Sequence, residues 1–307
     1  MKVHKAVILA AGFGTRMLPA TKVVPKELLP LVDRPAIEYV VEELLESGIE
    51  HLIIVTSTGK RAVEDHFGRV SELEDLLEAK DDQDRLDRVR RTWQIADIAF
   101  VHQHHMGGIA HAVRTARRAI GPEPFVLVLP DDVIVAEPPA TRQLLKVFDE
   151  YQASVVCVER IPRARSVAYG VVDVSGTNTN GSGSAYKVAA LVEKPQPDVA
   201  PSDLGIVGRY VFTPGIFEAI DRTEAGANGE LQITDAMTRL IEKEPLYAAE
   251  IDGRRYDTGH PMGYIEAGIE LALRRPEYKG QLHDYLAGLV ESDLFQTAQT
   301  ASPKGQG

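Results

Sequence analysis

With 34 Lys and Arg against 45 Asp and Glu, the 307-residue chain has a formal charge of −11, which excludes a molecule-wide basic face for coating nucleic acid or an anionic membrane. Hydrophobic residues at 44% and charged residues at 26% are ordinary for globular domains and exclude global disorder. No run approaches the roughly 18 apolar residues of a membrane span. The lone Cys157 lies in an apolar run at 153–158 and is expected as a buried thiol, since it has no intrachain partner. The apolar run at 6–10 is too short for a signal segment, so the expectation is a cytoplasmic protein that binds neither nucleic acid nor membrane.

In chain order, residues 6–10 form a continuous apolar run ending at a Gly-containing loop, the pattern of a strand buried on both faces of a parallel sheet. The same signature returns at 52–56, 98–102, 125–129 and 154–159, separated by amphipathic segments at 36–46, 62–67, 110–119 and 142–151. This alternation predicts right-handed βαβ crossovers and an α/β, doubly wound, mostly parallel sheet of Rossmann-like kind. In such sheets ligands bind beyond the carboxyl ends of the strands. Residues 70–93 interrupt the rhythm with a charge-dense stretch whose Leu73, Leu76, Leu77, Leu86, Val89 and Trp93 fall at helical spacing. They are read as a helical insertion with its charges on a solvated face.

Beyond residue 159 come shorter β segments at 169–174, 186–193 and 208–213, with a Gly/Ser/Thr/Asn hairpin tip at 176–184. A helix is expected at 231–242, a strand at 247–251 and helices at 261–274 and 278–290. The tail at 297–307 has no periodicity and reads as disordered. One domain over 1–292 is expected: a nucleotide-binding part near 1–160, a small β sugar-binding part near 161–260, and C-terminal helices at 261–292.

The first strand runs into Ala10, Ala11, Gly12, Phe13, Gly14, Thr15 and Arg16, where small residues let backbone N–H groups face a phosphate. It is not a dinucleotide fingerprint, because Met17 stands where a third Gly or Ala is needed. Nor is there a Walker A loop: Gly59-Lys60 is followed by Arg61, and Ile54 occupies the position of the upstream Gly. Instead, three cations, Arg16, Lys22 and Lys26, follow within eleven residues, with Glu27 beside the last; that density suits a polyphosphate.

The segment AGFGTRMLPATKVVPK, Ala11 to Lys26, resembles the signature of the sugar-nucleotide pyrophosphorylases, a family of sugar nucleotidyltransferases. GTRMLPATK with PKELLP resembles the bacterial branch that uses UTP and glucose 1-phosphate, and the similarity runs from about residue 5 to 289. The resemblance implies Mg²⁺-dependent transfer of UMP from UTP to glucose 1-phosphate, giving UDP-glucose and pyrophosphate in a homodimer or homotetramer. It further implies that Arg16 holds the β and γ phosphates, that Lys26 stabilises charge at the α-phosphorus, and that Ala10, Ala11, Gly12, Gly14, Thr15 and Glu27 complete the nucleotide loop.

Asp131, at the carboxyl end of a strand, and Asp257, in YDTG, are the metal ligands the family pattern implies; Mg²⁺ takes oxygen ligands and usually only one or two carboxylates. Asp132, beside Asp131, could instead cap a following helix. Glu193 and Lys194, in VEKP, resemble the element that receives the sugar hydroxyls and sugar phosphate, with Gly170 (AYGVV) and Val207 (IVGRY) bordering the sugar. Gln103 resembles the carboxamide that pairs with uracil, an edge that thymine shares. Where the family has Gly-Leu-Gly-His-Ala, this chain reads Gly108-Ile109-Ala110-His111-Ala112, so Gly108 keeps register and Ala110 replaces a glycine near the base. Two alternatives stay open: a thymidylyltransferase or an enzyme for another sugar 1-phosphate, and a non-catalytic regulatory subunit that binds a nucleotide sugar. Asn228 to Asp235 resembles a turn that opens a helix on the sugar side. His102, His104 and His105 lack the Cys or acidic partners of a metal cluster and read as solvated loop residues.

Overall fold

The computed structural model describes residues 1–175, 184–226 and 229–292. The tail at 297–307 and, apart from Ser184, the hairpin tip at 176–184 lie outside the described residues, as does Asn228. Strand β1 (Lys5–Leu9) is followed by a small ribbon of β2 (Pro30–Leu31) and β3 (Arg34–Pro35), then α1 (Ala36–Glu46), β4 (His51–Thr56) and α2 (Arg61–His66). Next come α3 (Ser71–Ala79), α4 (Gln83–Gln94), β5 (Asp97–His102), α5 (Ile109–Ile120), β6 (Phe125–Val128), β7 (Asp132–Val135), α6 (Ala140–Tyr151) and β8 (Ser154–Arg160). The remainder is β9 (Gly170–Ser175), β10 (Ser184–Glu193), β11 (Leu204–Phe212), α7 (Gly215–Asp221), α8 (Ile233–Leu240), β12 (Leu246–Glu250), β13 (Arg254–Asp257), α9 (Pro261–Leu273) and α10 (Pro276–Glu291).

Nine strands form one mixed sheet in the order β5-β4-β1-β6-β11-β8-β12-β10-β9. Its first four strands are parallel, as the βαβ rhythm predicts. β11 then enters antiparallel to both β6 and β8, and the segments expected as a small β subregion extend the same sheet. Side chains alternate across the sheet. Val7 and Leu9 therefore pack with Ile53, Val55, Val113 and Ala116 on one face, whereas Ala6 and Ile8 pack with Leu52, Ile54, Val40 and Leu44 on the other. Both faces are covered, which is why β1 is continuously apolar rather than alternating. α1 supplies Ile37, Val40, Val41 and Leu44 at i, i+3, i+4 and i+7, one buried stripe.

Three differences from the sequence reading have physical causes. β11 begins at Leu204, not 208, because Gly205, Gly208 and Arg209 interrupt the apolar run although every residue of the strand is buried. The insertion is two helices, α3 and α4, broken where Asp81 adopts a left-handed φ of 54° and Asp82 Oδ1 accepts from Arg85 N at 3.3 Å. Its charges are not all solvated: Glu74 is 1% exposed and accepts from Arg69, Arg90 and Trp93 Nε1. The short strands β7 and β13, which were not predicted, pair antiparallel with Asp132 opposite Asp257. Cys157 is fully buried as expected, and burial pushes its thiol pKa up.

Candidate active site

β1 delivers the glycine loop to the carboxyl edge of the parallel strands. Ala10 N donates to Val55 O (2.8 Å) and Ser57 Oγ donates to Ala11 O (2.9 Å), anchoring the start of the loop to the neighbouring strand. Gly14 has φ +66°, a left-handed conformation that favours glycine, and a side-chain carbon there would also meet Lys26 Cβ at 3.2 Å. Thr21 Oγ1 donates to Gly14 O at 2.7 Å, closing the loop on itself. Gly12 is exposed, and a carbon added to it meets nothing within 4 Å. Thr15 and Arg16 follow in a short 3₁₀ turn.

The β7–β13 ribbon brings the two aspartates together from positions far apart in sequence. Asp131 sits just before β7 and Asp257 ends β13; Thr258 clamps them by donating to Asp131 O from its N (2.8 Å) and its Oγ1 (2.9 Å). Lys26 Nζ lies 2.5 Å from Asp131 Oδ2, and Arg16 spans both carboxylates, with Nη2 3.3 Å from Asp131 Oδ2 and Nη1 3.1 Å from Asp257 Oδ2. Gly259 N donates to Asp257 Oδ1 at 3.1 Å. A carbon added to Gly259 would fall 2.6 Å from Asp131 Oδ2, 2.8 Å from Arg16 Nη2 and 3.1 Å from Asp257 Oδ1, so the groups converge on space that only glycine leaves free.

Burial works to raise the Asp131 pKa, but Lys26, by charge and hydrogen bond, and Arg16 outweigh it and hold the carboxyl below its ordinary value. For Lys26, burial works to lower the pKa, and Asp131 with Glu27 outweighs it, leaving a raised ammonium that stays charged at neutral pH. Asp132 caps no helix. It opens β7, accepts from Gly208 N at 2.8 Å and from Arg255 Nη1 at 2.5 Å, and burial pushes its pKa up against the pull of Arg255.

A cleft of about 790 Å³ extends from this cluster, lined by Arg16, Asp131, Val207, Asp257 and also Tyr169. Gly170 stands opposite Glu193 in the β9–β10 register, and a side-chain carbon at Gly170 would lie 2.8 Å from Thr234 Oγ1 and 3.3 Å from Glu193 Oε2. Lys194 has φ 47°, donates its N to Tyr169 O (3.0 Å) and places Nζ 3.2 Å from Glu193 Oε1 with its side chain more than half exposed. The Gly170, Glu193 and Lys194 set is thus brought together, outside the lining of the 790 Å³ cleft.

Gln103 and Gly108 form a third group. Gln103 N donates to Thr56 O at 2.8 Å, and its side chain contacts His111 Nδ1 at 2.9 Å. Burial, then Arg114 and His105, lower the His111 pKa, so the ring is neutral at pH 7. Gly108 has φ +88°, and any side chain would strike Leu231 O at 2.6 Å, because Leu231 N in turn donates to Gly107 O at 2.8 Å. Ala110 is fully buried in the core cluster, so its extra methyl packs inward.

Glu27 is 1% exposed, and both its oxygens accept from Lys60 Nζ at 2.9 and 2.8 Å. Lys60, which in sequence is only part of a failed Walker A match, is buried and within electrostatic range of Lys26. Arg209 and Arg255 were also missed. Arg209, fully buried, donates to Glu43, to Leu129 O (3.3 Å), to Gly208 O (3.0 Å) and to Asp132 O (2.8 Å), pinning the backbone on both sides of Asp131. One cation inside an otherwise apolar strand was the available signal. His102 pairs with Glu64 at 3.1 Å, and no group of three or more His, Cys, Asp or Glu could hold a metal among the described residues.

The nucleotidyl transferase family model matches residues 5–273. The UTP–glucose-1-phosphate uridylyltransferase of Staphylococcus epidermidis is 44% identical over 288 residues, covering 94% of this chain and 99% of the relative, and that of Bacillus subtilis is 44% identical over 292, covering 95% and 99%. Among solved structures, a UDP-glucose pyrophosphorylase complexed with UDP-glucose superposes with TM-score 0.79 at 37% identity, over 89% of this chain and all of that one. A UTP-bound UGPase from Acinetobacter baumannii gives TM-score 0.85 at 34% identity, over 93% and 99%. These likenesses span the glycine loop, both aspartates and the sheet that carries them, and the chain belongs to the nucleotidyl transferase family as an enzyme of that class.

Proposed function

We propose that the chain transfers UMP from UTP to glucose 1-phosphate, releasing pyrophosphate, with Mg²⁺ as cofactor. The observation that carries this reading is the convergence of Arg16 and Lys26 on Asp131 and Asp257 beside an open glycine loop. The relatives named for this reaction, and the UTP and UDP-glucose bound in the neighbouring structures, support the choice of substrates.

Two anionic reactants must meet, so charge neutralisation comes first. Asp131 and Asp257 offer hard oxygen donors around the free space at Gly259, a set that suits Mg²⁺ when phosphate oxygens complete the shell. Bound there, the ion would offset phosphate charge. Arg16, now spanning both carboxylates, would turn to the β and γ phosphates, and Lys26 would face the α-phosphorus. A sugar phosphate oxygen attacks that phosphorus in line, the bond to the bridging oxygen of the β-phosphate breaks, and pyrophosphate departs. The attacking oxygen is already deprotonated, so no general base is required.

Gln103, with one amide N–H engaged by the neutral His111, keeps its second N–H for uracil O4 and its carbonyl oxygen to accept the uracil N3–H. Glu193 would receive sugar hydroxyls and Lys194 the sugar phosphate, bordered by Gly170 and Val207. On this assignment residues 1–160 handle the nucleotide and 161–260 the sugar.

Lys26→Ala and Asp131→Ala are expected to lower turnover by at least about a hundredfold, with unchanged far-ultraviolet circular dichroism. Near-normal turnover in either would remove the site assignment. In a matrix of nucleoside triphosphates against sugar 1-phosphates scored by pyrophosphate release, UTP with glucose 1-phosphate should be best. A preference for dTTP would overturn the uridine reading.

A further inference from the structure

Arg255 stands in the floor of the cleft, on β13 two residues before Asp257, with its side chain 8% exposed. Its fork reaches in two directions. Nη1 donates to Asp132 Oδ1 at 2.5 Å, while Nη2 donates to Glu159 Oε1 at 2.5 Å and to Tyr169 Oη at 2.8 Å. Asp132, Glu159 and Tyr169 all line the same cleft.

Tyr169 is held from both sides. Its hydroxyl also accepts from Arg165 Nη2 at 3.0 Å, and the guanidinium carbons of Arg255 and Arg165 lie 5.5 and 5.6 Å from its ring centroid. Its carbonyl accepts from Lys194 N at 3.0 Å, and the next residue is Gly170, packed against Glu193. A continuous set of bonds therefore runs from Asp132, beside the candidate metal ligand, through Arg255 and Tyr169, to the residues assigned to the sugar.

Charge strengthens the argument. Asp131, Asp132, Glu159 and Asp257 all line the cleft that adjoins the residues assigned to the dianionic sugar phosphate, and Arg16 is paired with Asp131 and Asp257. The cation that meets both Asp132 and Glu159 is Arg255. Without it, Asp132 and Glu159 would lose the cation that offsets them, and any negative charge left on them would repel the incoming phosphate.

We propose that Arg255 is a positioning residue for the sugar 1-phosphate: it holds Tyr169 in place as the wall of the sugar side and neutralises Asp132 and Glu159 beneath it. This rests on the substrate reading above. Arg255→Met removes charge and fork; Arg255→Lys keeps the charge but cannot hold Asp132 and Tyr169 in one planar fork. Tyr169→Phe keeps the ring and removes the hydroxyl that accepts from both Arg255 and Arg165.

Arg255→Met should raise KM for glucose 1-phosphate by at least about tenfold while KM for UTP stays within roughly threefold, and Arg255→Lys should fall between Arg255→Met and the parent. Arg255 and Tyr169 share one bond, so the effect of Arg255→Lys with Tyr169→Phe should fall clearly short of the product of the two single effects. Equal rises in both KM values, or single effects that multiply in the double variant, would overturn the proposal. If Arg255→Met fails to fold, the Lys and Phe cycle decides alone. Lys26→Ala, assayed alongside, separates the two readings. If Lys26→Ala is inactive while the Arg255 variants behave as the parent, the positioning role falls and the site stands. If Lys26→Ala is near normal, the site itself falls.

Discussion

Gly259→Ala tests the convergence of the charged groups with a single methyl. The added carbon would lie 2.6 Å from Asp131 Oδ2, 2.8 Å from Arg16 Nη2 and 3.1 Å from Asp257 Oδ1, against an ordinary contact of about 3.5 Å. Gly259 is not in the left-handed region, so the effect comes from space and not from backbone strain. Arg16, with its side chain 55% exposed, can swing away; Asp131, only 15% exposed and held at 2.5 Å by Lys26, must retreat by roughly 1 Å and lose that bond.

A hydrogen bond to a charged group contributes about 1.5–3 kcal/mol. If the same geometry is required in the transition state, turnover falls by about ten- to a hundredfold, at 1.36 kcal/mol per tenfold. Pyrophosphate release at saturating UTP and glucose 1-phosphate, repeated across a Mg²⁺ titration, measures the loss. The same bond holds the protein without substrate, and Gly259 is buried, so thermal unfolding should also show a destabilisation of up to about 1.5–3 kcal/mol. A kcat within about twofold of the parent would refute the reasoning.

Gly12→Ala should leave unfolding unchanged, because nothing lies within 4 Å of the new carbon, yet raise KM for UTP about tenfold by obstructing close approach of a phosphate to the backbone. An unchanged KM would remove Gly12 from the nucleotide loop. Arg209→Met leaves Glu43 buried without its cation and should cost about 3–5 kcal/mol in denaturant unfolding, much of it recovered by the additional change Glu43→Leu. A loss below about 1 kcal/mol would mean the pair is not a buttress of the sheet.

Much of the architecture is legible in the sequence. The apolar runs at 6–10, 52–56, 98–102 and 125–129 became adjacent parallel strands, because a strand buried on both faces has no reason to alternate. What escaped were β7 and β13: four residues each, mixed in polarity, and stabilised by each other, so neither has a pattern of its own. The same limit applied to Arg255, whose partners at 132, 159 and 169 are distant in sequence.

From sequence alone, the glycine loop, the cations following it and the family likeness identified the class of chemistry, since a phosphate-binding loop is local and its residues lie within one short segment. The net charge of −11 spoke only to the exterior. Tertiary structure decided which charges meet. It set Arg16 across Asp131 and Asp257, paired Glu27 with Lys60, and buried Ala110 in the core. The first of these depends on strand pairing between segments more than a hundred residues apart, and in each case packing and desolvation, acting over a few ångströms, choose the partner that a group finds.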